Sequence, residues 1–332
     1  MMKFIKLREA QKVCRGAQGS CRGSASLFSL FIALVVLTIA VGFNWIVKEH
    51  LKASLSLKEK IEGFVEAHSH FQLLLFTLLP GQLTTKEILP YRGKDYLGVE
   101  RLPLNGEWVW LKREDIGVGT RRPVRVSMQD TNGLLSLVNL DPLVFSNLLK
   151  ILQVSEERRR VIVDSLIDWV DRDDYVRLNG AEAEYYRKEG KNYRPRNYAI
   201  QYLEELKLIR GMDEALFQRI APYLTLLPNT GLNPNTSKKE VVQAYLGLED
   251  EKVLENLMNF LKREAIHNEL QLFQLTGRLI HFPEGAYFFP SGYCVVRILV
   301  GPEEKPLYTI ETGISLRHKI YFPYEIFYWI ER

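Results

Sequence analysis

The hydropathy pattern is dominated by one run, Gly23 to Val47, that carries no charged residue before Lys48. As a helix, the part from Leu27 to Val47 extends about 30 Å, enough for a bilayer core. Beyond it Val47, Leu51, Leu55, Ile61, Val65 and His68 recur at spacings of three, four and six through a Lys/Glu-rich stretch. That spacing predicts an amphipathic continuation of the same helix. Residues 71–79 are almost wholly apolar, and Pro80-Gly81 ends the element. Residues 82–132 read as turns and short strands, with alternation over 107–112 and 123–128. The pattern then changes to helical periodicity over 143–152, 156–169, 200–208, 214–224, 238–246 and 252–263. Aromatic and β-branched runs at 293–300, 307–311 and 325–330 return to strand. A β layer interrupted by an all-helical block predicts one α+β domain with an insertion, not two domains in series.

Composition changes this picture at one point. The chain has 332 residues with 44 Lys+Arg against 40 Asp+Glu, a formal +4. Residues 1–23 hold Lys3, Lys6, Arg8, Lys12, Arg15 and Arg22 against Glu9 alone, which leaves −1 for the remainder. The basic excess is therefore a flank of the apolar run. It places the amino terminus in the cytoplasm and the rest of the chain outside, on the periplasmic side in a bacterium. It is not a nucleic-acid surface. Three readings of the segment compete: a signal peptide cut near Ala40-Val41-Gly42, a plain signal anchor, or a short basic leader ending at Gly23 before Ser24. The last arrangement resembles the prepilin leader of type IV pilins and type II secretion pseudopilins, cut on the cytoplasmic side after Gly. Cys14 and Cys21 lie in that leader, leaving Cys294 in an apolar strand as a core residue.

The chemistry-bearing residues concentrate in one acidic loop. Asp171, Asp173, Asp174, Asn179, Glu182 and Glu184 offer hard oxygen donors within fourteen residues, and Asp168 stands three residues upstream. Asp171, Asp173 and Glu182 match positions 1, 3 and 12 of an EF-hand, but position 6 is Val176 and Gly180 falls too late. The residues alone leave a solvated acidic loop and a calcium site both open. The run Leu206-Lys207-Leu208-Ile209-Arg210-Gly211-Met212, with Leu216 and Ile220, has the form of a helix-hairpin-helix. A near-neutral body argues against DNA, and Gly211 is expected to serve hairpin packing. His50, His68, His70, His267, His281 and His318 lack metal-protease spacing and are expected at surfaces or interfaces. No nucleophile elbow or phosphate loop occurs, so no catalytic site is expected.

Taken in order, Gln129-Asp130-Thr131-Asn132-Gly133, Leu166-Ile167-Asp168-Trp169-Val170-Asp171-Arg172-Asp173-Asp174, Asn179-Gly180-Ala181-Glu182, Tyr185-Tyr186, Tyr193-Arg194-Pro195-Arg196-Asn197 and Leu232-Asn233-Pro234-Asn235-Thr236 resemble the type II secretion minor pseudopilin K family. The resemblance implies a pilin-like α+β fold with a long N-terminal transmembrane helix, an antiparallel sheet and a large all-helical insertion. Its expected parts are a leader at 1–23, a spine helix at 24–80, sheet segments at 81–133 and 266–332, and the helical insertion at 134–265. It further implies cleavage between Gly23 and Ser24 by a prepilin peptidase, a methylated Ser24, and Ca²⁺ in the acidic loop. Phe28 stands where most pilins carry a buried Glu, which implies a filament-tip subunit assembled with I- and J-type minor pseudopilins.

Overall fold

A computed structural model describes residues 22–91, 97–111, 122–138, 140–279, 288–317 and 322–332, with side chains from Ala25 onward. Residues 1–21 with Cys14 and Cys21, the strand end at Lys112, His281 and His318 lie outside the described residues. The chain divides into two units, Met1–Glu62 and Gly63–Arg332.

The first unit is described from Arg22 and holds the first part of α1 (Arg22–Leu78). It is long and apolar enough to cross a membrane by length and composition. Its apolar side chains, Phe28 among them, are exposed. The Ser29 and Thr38 hydroxyls bond back to the carbonyls of Ser26 and Val35 at 2.9 and 2.8 Å. These two hydroxyls, which would meet hydrocarbon, are thus satisfied within the helix.

In the second unit the remainder of α1 packs on a sheet. Before the sheet come β1 (Gln82–Leu83), β2 (Glu87–Leu89) and β3 (Leu102–Pro103), a small antiparallel ladder. Then follow β4 (Asn105–Leu111) and β5 (Val124–Asp130). A helical block intervenes: β6 (Leu135–Ser136), α2 (Pro142–Ile151), α3 (Glu156–Val170), α4 (Ala183–Lys188), α5 (Glu214–Ile220), β7 (Leu224–Thr225), α6 (Lys239–Leu246), α7 (Glu251–Arg263) and α8 (Glu269–Thr276). The chain closes with β8 (Tyr293–Val300), β9 (Tyr308–Ser315) and β10 (Glu325–Glu331). The main sheet has the order β10-β9-β8-β5-β4, antiparallel throughout. Its central neighbours β5 and β8 pair from Val124↔Val300 to Asp130↔Cys294, so the whole helical block is inserted between adjacent strands. This is the α+β architecture read from the sequence.

Alternation decides what faces the helix. Val124, Val126, Met128, Cys294, Val296, Ile298 and Val300 point to one side and pack with Ala67, Phe71, Leu74, Leu75 and Leu78 of α1. The ring of Phe71 meets Trp329 of β10 edge-on at 4.8 Å. The expected stripe through Val47, Leu51, Leu55, Ile61 and Val65 is exposed instead. Burial begins at Gly63, where an added Cβ would meet Tyr308 of β9 at 3.0 Å, and the apolar core of this face starts at Ala67. His70, expected at a surface, is buried on that side.

The helical block has its own core, including Phe145, Leu148, Leu149, Ile162, Leu166, Trp169, Tyr186, Leu206, Ile220 and Val242. Helices α2, α5 and α8 start at side-chain caps: Asp141 accepts from Leu143 N at 2.8 Å, Asp213 from Leu216 N at 2.7 Å and Asn268 from Gln271 N at 2.9 Å. Residues 200–208, expected as a helix, form a 3₁₀ segment from Leu203 to Leu208. The expected helix 214–224 stops at Ile220, where Pro222 enforces a 3₁₀ turn. Leu272 of α8 and Phe288 belong to this same core.

The two ends of the insertion meet at Asp130, the fully buried last residue of β5. Its Oδ1 accepts from Ser291 N at 2.7 Å and Ser291 Oγ at 2.8 Å, and its Oδ2 from Thr236 Oγ1 at 3.0 Å. Gln129 Nε2 donates to Thr236 O at 2.9 Å and Thr131 Oγ1 to Pro228 O at 2.8 Å. A Cβ on Gly133 would lie 2.4 Å from Thr236 O, so only glycine lets the chain pass. The Gln-Asp-Thr-Asn-Gly run is therefore the seam between sheet and helical block.

Candidate metal centre

The acidic loop follows α3, whose last turns supply two buried or half-buried carboxylates. Asp168 is fully buried; its oxygens accept from Arg177 N at 3.4 and 3.2 Å. Arg177 also turns its guanidinium toward Asp168 and Asp171, at 3.5 and 3.8 Å. One turn upstream, Asp164 Oδ2 accepts from both Asn179 N at 3.0 Å and Asn179 Nδ2 at 2.9 Å. Gly180 then passes so close that an added Cβ would lie 1.9 Å from Asp168 Oδ2. Ala181 is fully buried and Glu182 nearly so, at 6 % exposure. The Asn-Gly-Ala-Glu run is thus a strap laid over two α3 carboxylates, each residue chosen by what lies beneath it.

Glu182 is the outlier. Both of its carboxylate oxygens are buried and accept no hydrogen bond, and Asp171 Oδ1 is in the same condition. Burial, and then the charges of Asp168, Asp171 and Asp174, push the Glu182 carboxyl up to about 7. Burial also raises Asp168; burial, then Asp173 and Asp168, raise Asp171. Five acids thus share one field, countered locally by Arg177.

The other expected residues are spent elsewhere. Asp173 Oδ1 caps its own turn by accepting from Tyr175 N at 2.9 Å. Asp174 Oδ1 accepts from Asn197 Nδ2 at 3.1 Å, Asn197 being held at φ 52°. Asn179 is committed to Asp164, and exposed Glu184 pairs with Lys188 at 2.9 Å, which lowers its carboxyl. Among the described residues no three His, Cys, Asp or Glu side chains already stand in ligating geometry. The buried, unbonded oxygens of Glu182 and Asp171 beside Asp168 nevertheless fit a hard divalent cation, which takes carboxylate oxygens.

Sequence reading missed Asp164, Arg177 and a neighbouring brace. Arg196 grips Glu205 with two bonds of 2.8 Å, and Glu205 also accepts from Gln201 N at 3.0 Å and Tyr202 N at 3.2 Å. Burial would raise the Glu205 carboxyl, but these donors outweigh it and hold it below the usual range. Gly211, at φ 85°, is pressed against α3: an added Cβ would come within 2.9 Å of Ile162 and 3.2 Å of Val161. Its carbonyl accepts from Arg158 at 2.8 Å. That hairpin packs against protein, as its apolar neighbours indicated.

A bilayer-length helix entering an antiparallel sheet with a helical block between its central strands defines a pilin-like α+β protein. Residues 128–229 match the family described as Type II secretion system (T2SS), protein K. Type II secretion system protein K of Klebsiella pneumoniae is 37% identical over 103 residues, 31% of this chain and 32% of that one. The Pectobacterium carotovorum subsp. carotovorum protein of that name is 26% identical over 221 residues, 64% and 65% of the two chains. The Pseudomonas aeruginosa protein is 30% identical over 160 residues, 44% and 46%. These matches span less than two thirds of each relative's length. The fold is similar to a chain in the crystal structure of the GspK-GspI-GspJ complex from enterotoxigenic Escherichia coli. That match has a TM-score of 0.52 and 17% identity, and covers 86% of this chain and 99% of that one. Residues 128–229 thus carry the type II secretion system protein K domain, and the fold agrees with that match.

Proposed function

We propose that this chain is a minor pseudopilin, anchored once in the bacterial inner membrane with its body in the periplasm. It sits at the tip of a type II secretion pseudopilus, where it nucleates the filament that moves folded proteins across the outer membrane. The observation carrying this reading is α1: an apolar helix that continues unbroken from a bilayer-length segment into a sheet followed by the family-matching residues 128–229. A subunit so built is extracted from the membrane and packed by its helix, so its work is mechanical. A leader peptidase cuts after Gly23 and Ser24 becomes the methylated terminus. Phe28, five residues into the mature chain, carries no charge that a neighbour above would have to neutralise. Partners are I- and J-type minor pseudopilins, as in the complex of the similar structure.

Calcium belongs to this reading as a structural ion. When bound it supplies positive charge and oxygen coordination to the loop. Glu182 and Asp171 offer it their unbonded oxygens and Asp168 the inward end of α3, while Asp173, Asp174 and Asn197 hold the loop's outer turn in place.

Amino-terminal sequencing of protein purified from membranes tests the core of the proposal. A start at Ser24 supports it; a start at Met1 or after Gly42 sinks it. Co-purification with I- and J-type subunits is expected, and its absence in an otherwise secretion-competent cell counts against the tip assignment.

A further inference from the structure

The metal loop has an outer surface that its carboxylates do not explain. Tyr175, Val176 and Leu178 are 84, 61 and 97 % exposed, three large side chains within four residues at the tip of the loop. The tip is braced rather than slack. Asp173 caps the turn, and Asn197 Nδ2 ties the loop by donating to Asp173 O at 3.0 Å and to Asp174. Tyr198, next to that tie, is exposed as well. A rigid loop that holds apolar side chains in water is built to meet something apolar.

Charge says what. Val176 and Leu178 line an open cleft of about 1130 Å³ together with the exposed cations Arg187, Lys188, Lys191 and Arg194. Its acidic members are Asp174, tied to Asn197, Glu182, buried, and Glu184, paired with Lys188. Glu184 and Lys188 offset one another, which leaves Arg187, Lys191 and Arg194 as exposed cations of the cleft. Exposed apolar and aromatic side chains with cations beside them match an anionic bilayer interface, apolar below and phosphate above. A protein partner would have to offer a deep apolar socket ringed with acid; a membrane offers both layers without shape.

We propose that the Tyr175–Leu178 tip, with its rim of Lys191, Arg194 and Arg187, docks on an anionic phospholipid surface. This rests on the calcium reading of the loop, because Asp171 and Asp173 stand beside the tip and repel phosphate unless a cation offsets them. The docking site is the tip's own and is separate from α1, which crosses a membrane.

The test uses the full chain held in phosphatidylcholine nanodiscs, so that α1 is already occupied. Calcium is added, and the protein is sedimented with vesicles of phosphatidylcholine alone or of phosphatidylcholine and phosphatidylglycerol in equal parts. Binding is expected to the anionic vesicles and to fall roughly tenfold for Leu178→Asp and for the Lys191→Glu, Arg194→Glu pair, with melting unchanged at these exposed sites. Inorganic phosphate should not compete, which separates a lipid surface from a free-phosphate site. Equal binding to both vesicle types, or full binding by Leu178→Asp, overturns the proposal. A calcium-dependent rise in melting temperature reads the metal site independently. If that rise occurs and no vesicles bind, the docking inference fails alone. If vesicles bind selectively without a calcium shift, the metal reading falls, and the docking inference that rests on it falls with it.

Discussion

Gly180 and Glu182 show how single residues carry the acidic loop. Gly180→Ala places a methyl where Asp168 Oδ2 lies, an overlap that side-chain rotation cannot relieve because Asp168 is itself buried and bonded. We expect a loss of about 1–3 kcal/mol, measured by denaturant unfolding, together with loss of the calcium response. Glu182 binds a proton more readily folded than unfolded, between its ordinary 4.5 and about 7. Its contribution is therefore fully present below pH 4.5 and is lost as pH rises through 7, a swing of roughly 2–3 kcal/mol without metal. With chelator present, Glu182→Gln should flatten the decline in melting temperature over that window. Calcium, which needs the ionised carboxylate, should act most above pH 7 and little at pH 5. The carboxylates themselves were legible in the sequence because they crowd into fourteen residues. Asp164 was not, since its role appears only when Asn179 folds back over α3. Arg177 was not either, because a cation within an acidic run, like Arg172 beside it, looks like local neutralisation, not a clamp.

Elements were legible in proportion to length and regularity. The helices α2, α3, α6 and α7 and the strands β5 and β8 stand within two residues of their expected limits. Misses have local causes. α8 reads Glu-Leu-Gln-Leu-Phe-Gln-Leu-Thr, whose leucines at 270 and 272 alternate like a strand. β1, β2, β3, β6 and β7 are too short to leave a pattern. The 3₁₀ segment Leu203–Leu208 is set by a distant partner, since Arg196 and the backbone of Gln201 and Tyr202 all converge on Glu205. Glu205→Ala should cost about 3 kcal/mol and loosen Trp169, whose indole faces the same carboxylate at 3.5 Å. Tryptophan fluorescence and urea unfolding check this. A loss below 1 kcal/mol would mean that the segment holds its shape without the pair.

At the scale of the molecule, the second unit behaves as a sheet with a second core spliced into it, and Asp130 is where the two are stitched. Burial pushes its carboxyl up to about 6 against the bonds from Ser291, Thr236 and Asn132. Its contribution is thus present below pH 3.8 and lost as pH rises through 6, like that of Glu182. Asp130→Ala removes the acceptor for Ser291 and Thr236 at once, costing about 1–3 kcal/mol per stranded donor. Calorimetry should then resolve two unfolding transitions, helical block and sheet, in place of one. A single transition at lower temperature would show that apolar packing alone couples them. The sequence disclosed the insertion through its change of periodicity. It could not disclose that the seam is polar, because a lone Asp at a strand end looks like a turn residue.

The splice also dictates an order of events in time. β5 cannot pair with β8 until some 160 intervening residues have been gathered in, and closing so long a loop from a disordered chain is entropically costly and slow. If the helical block folds first, its own packing delivers Asp130 and Ser291 to one another and the central ladder closes over a short gap. Folding of the sheet is therefore gated by the block: Trp169→Ala, far from any strand of the main sheet, should slow refolding of β5 and β8 as read by pulsed hydrogen exchange. On this order the last strands, β8 to β10, find their place in a sheet that the block has already framed.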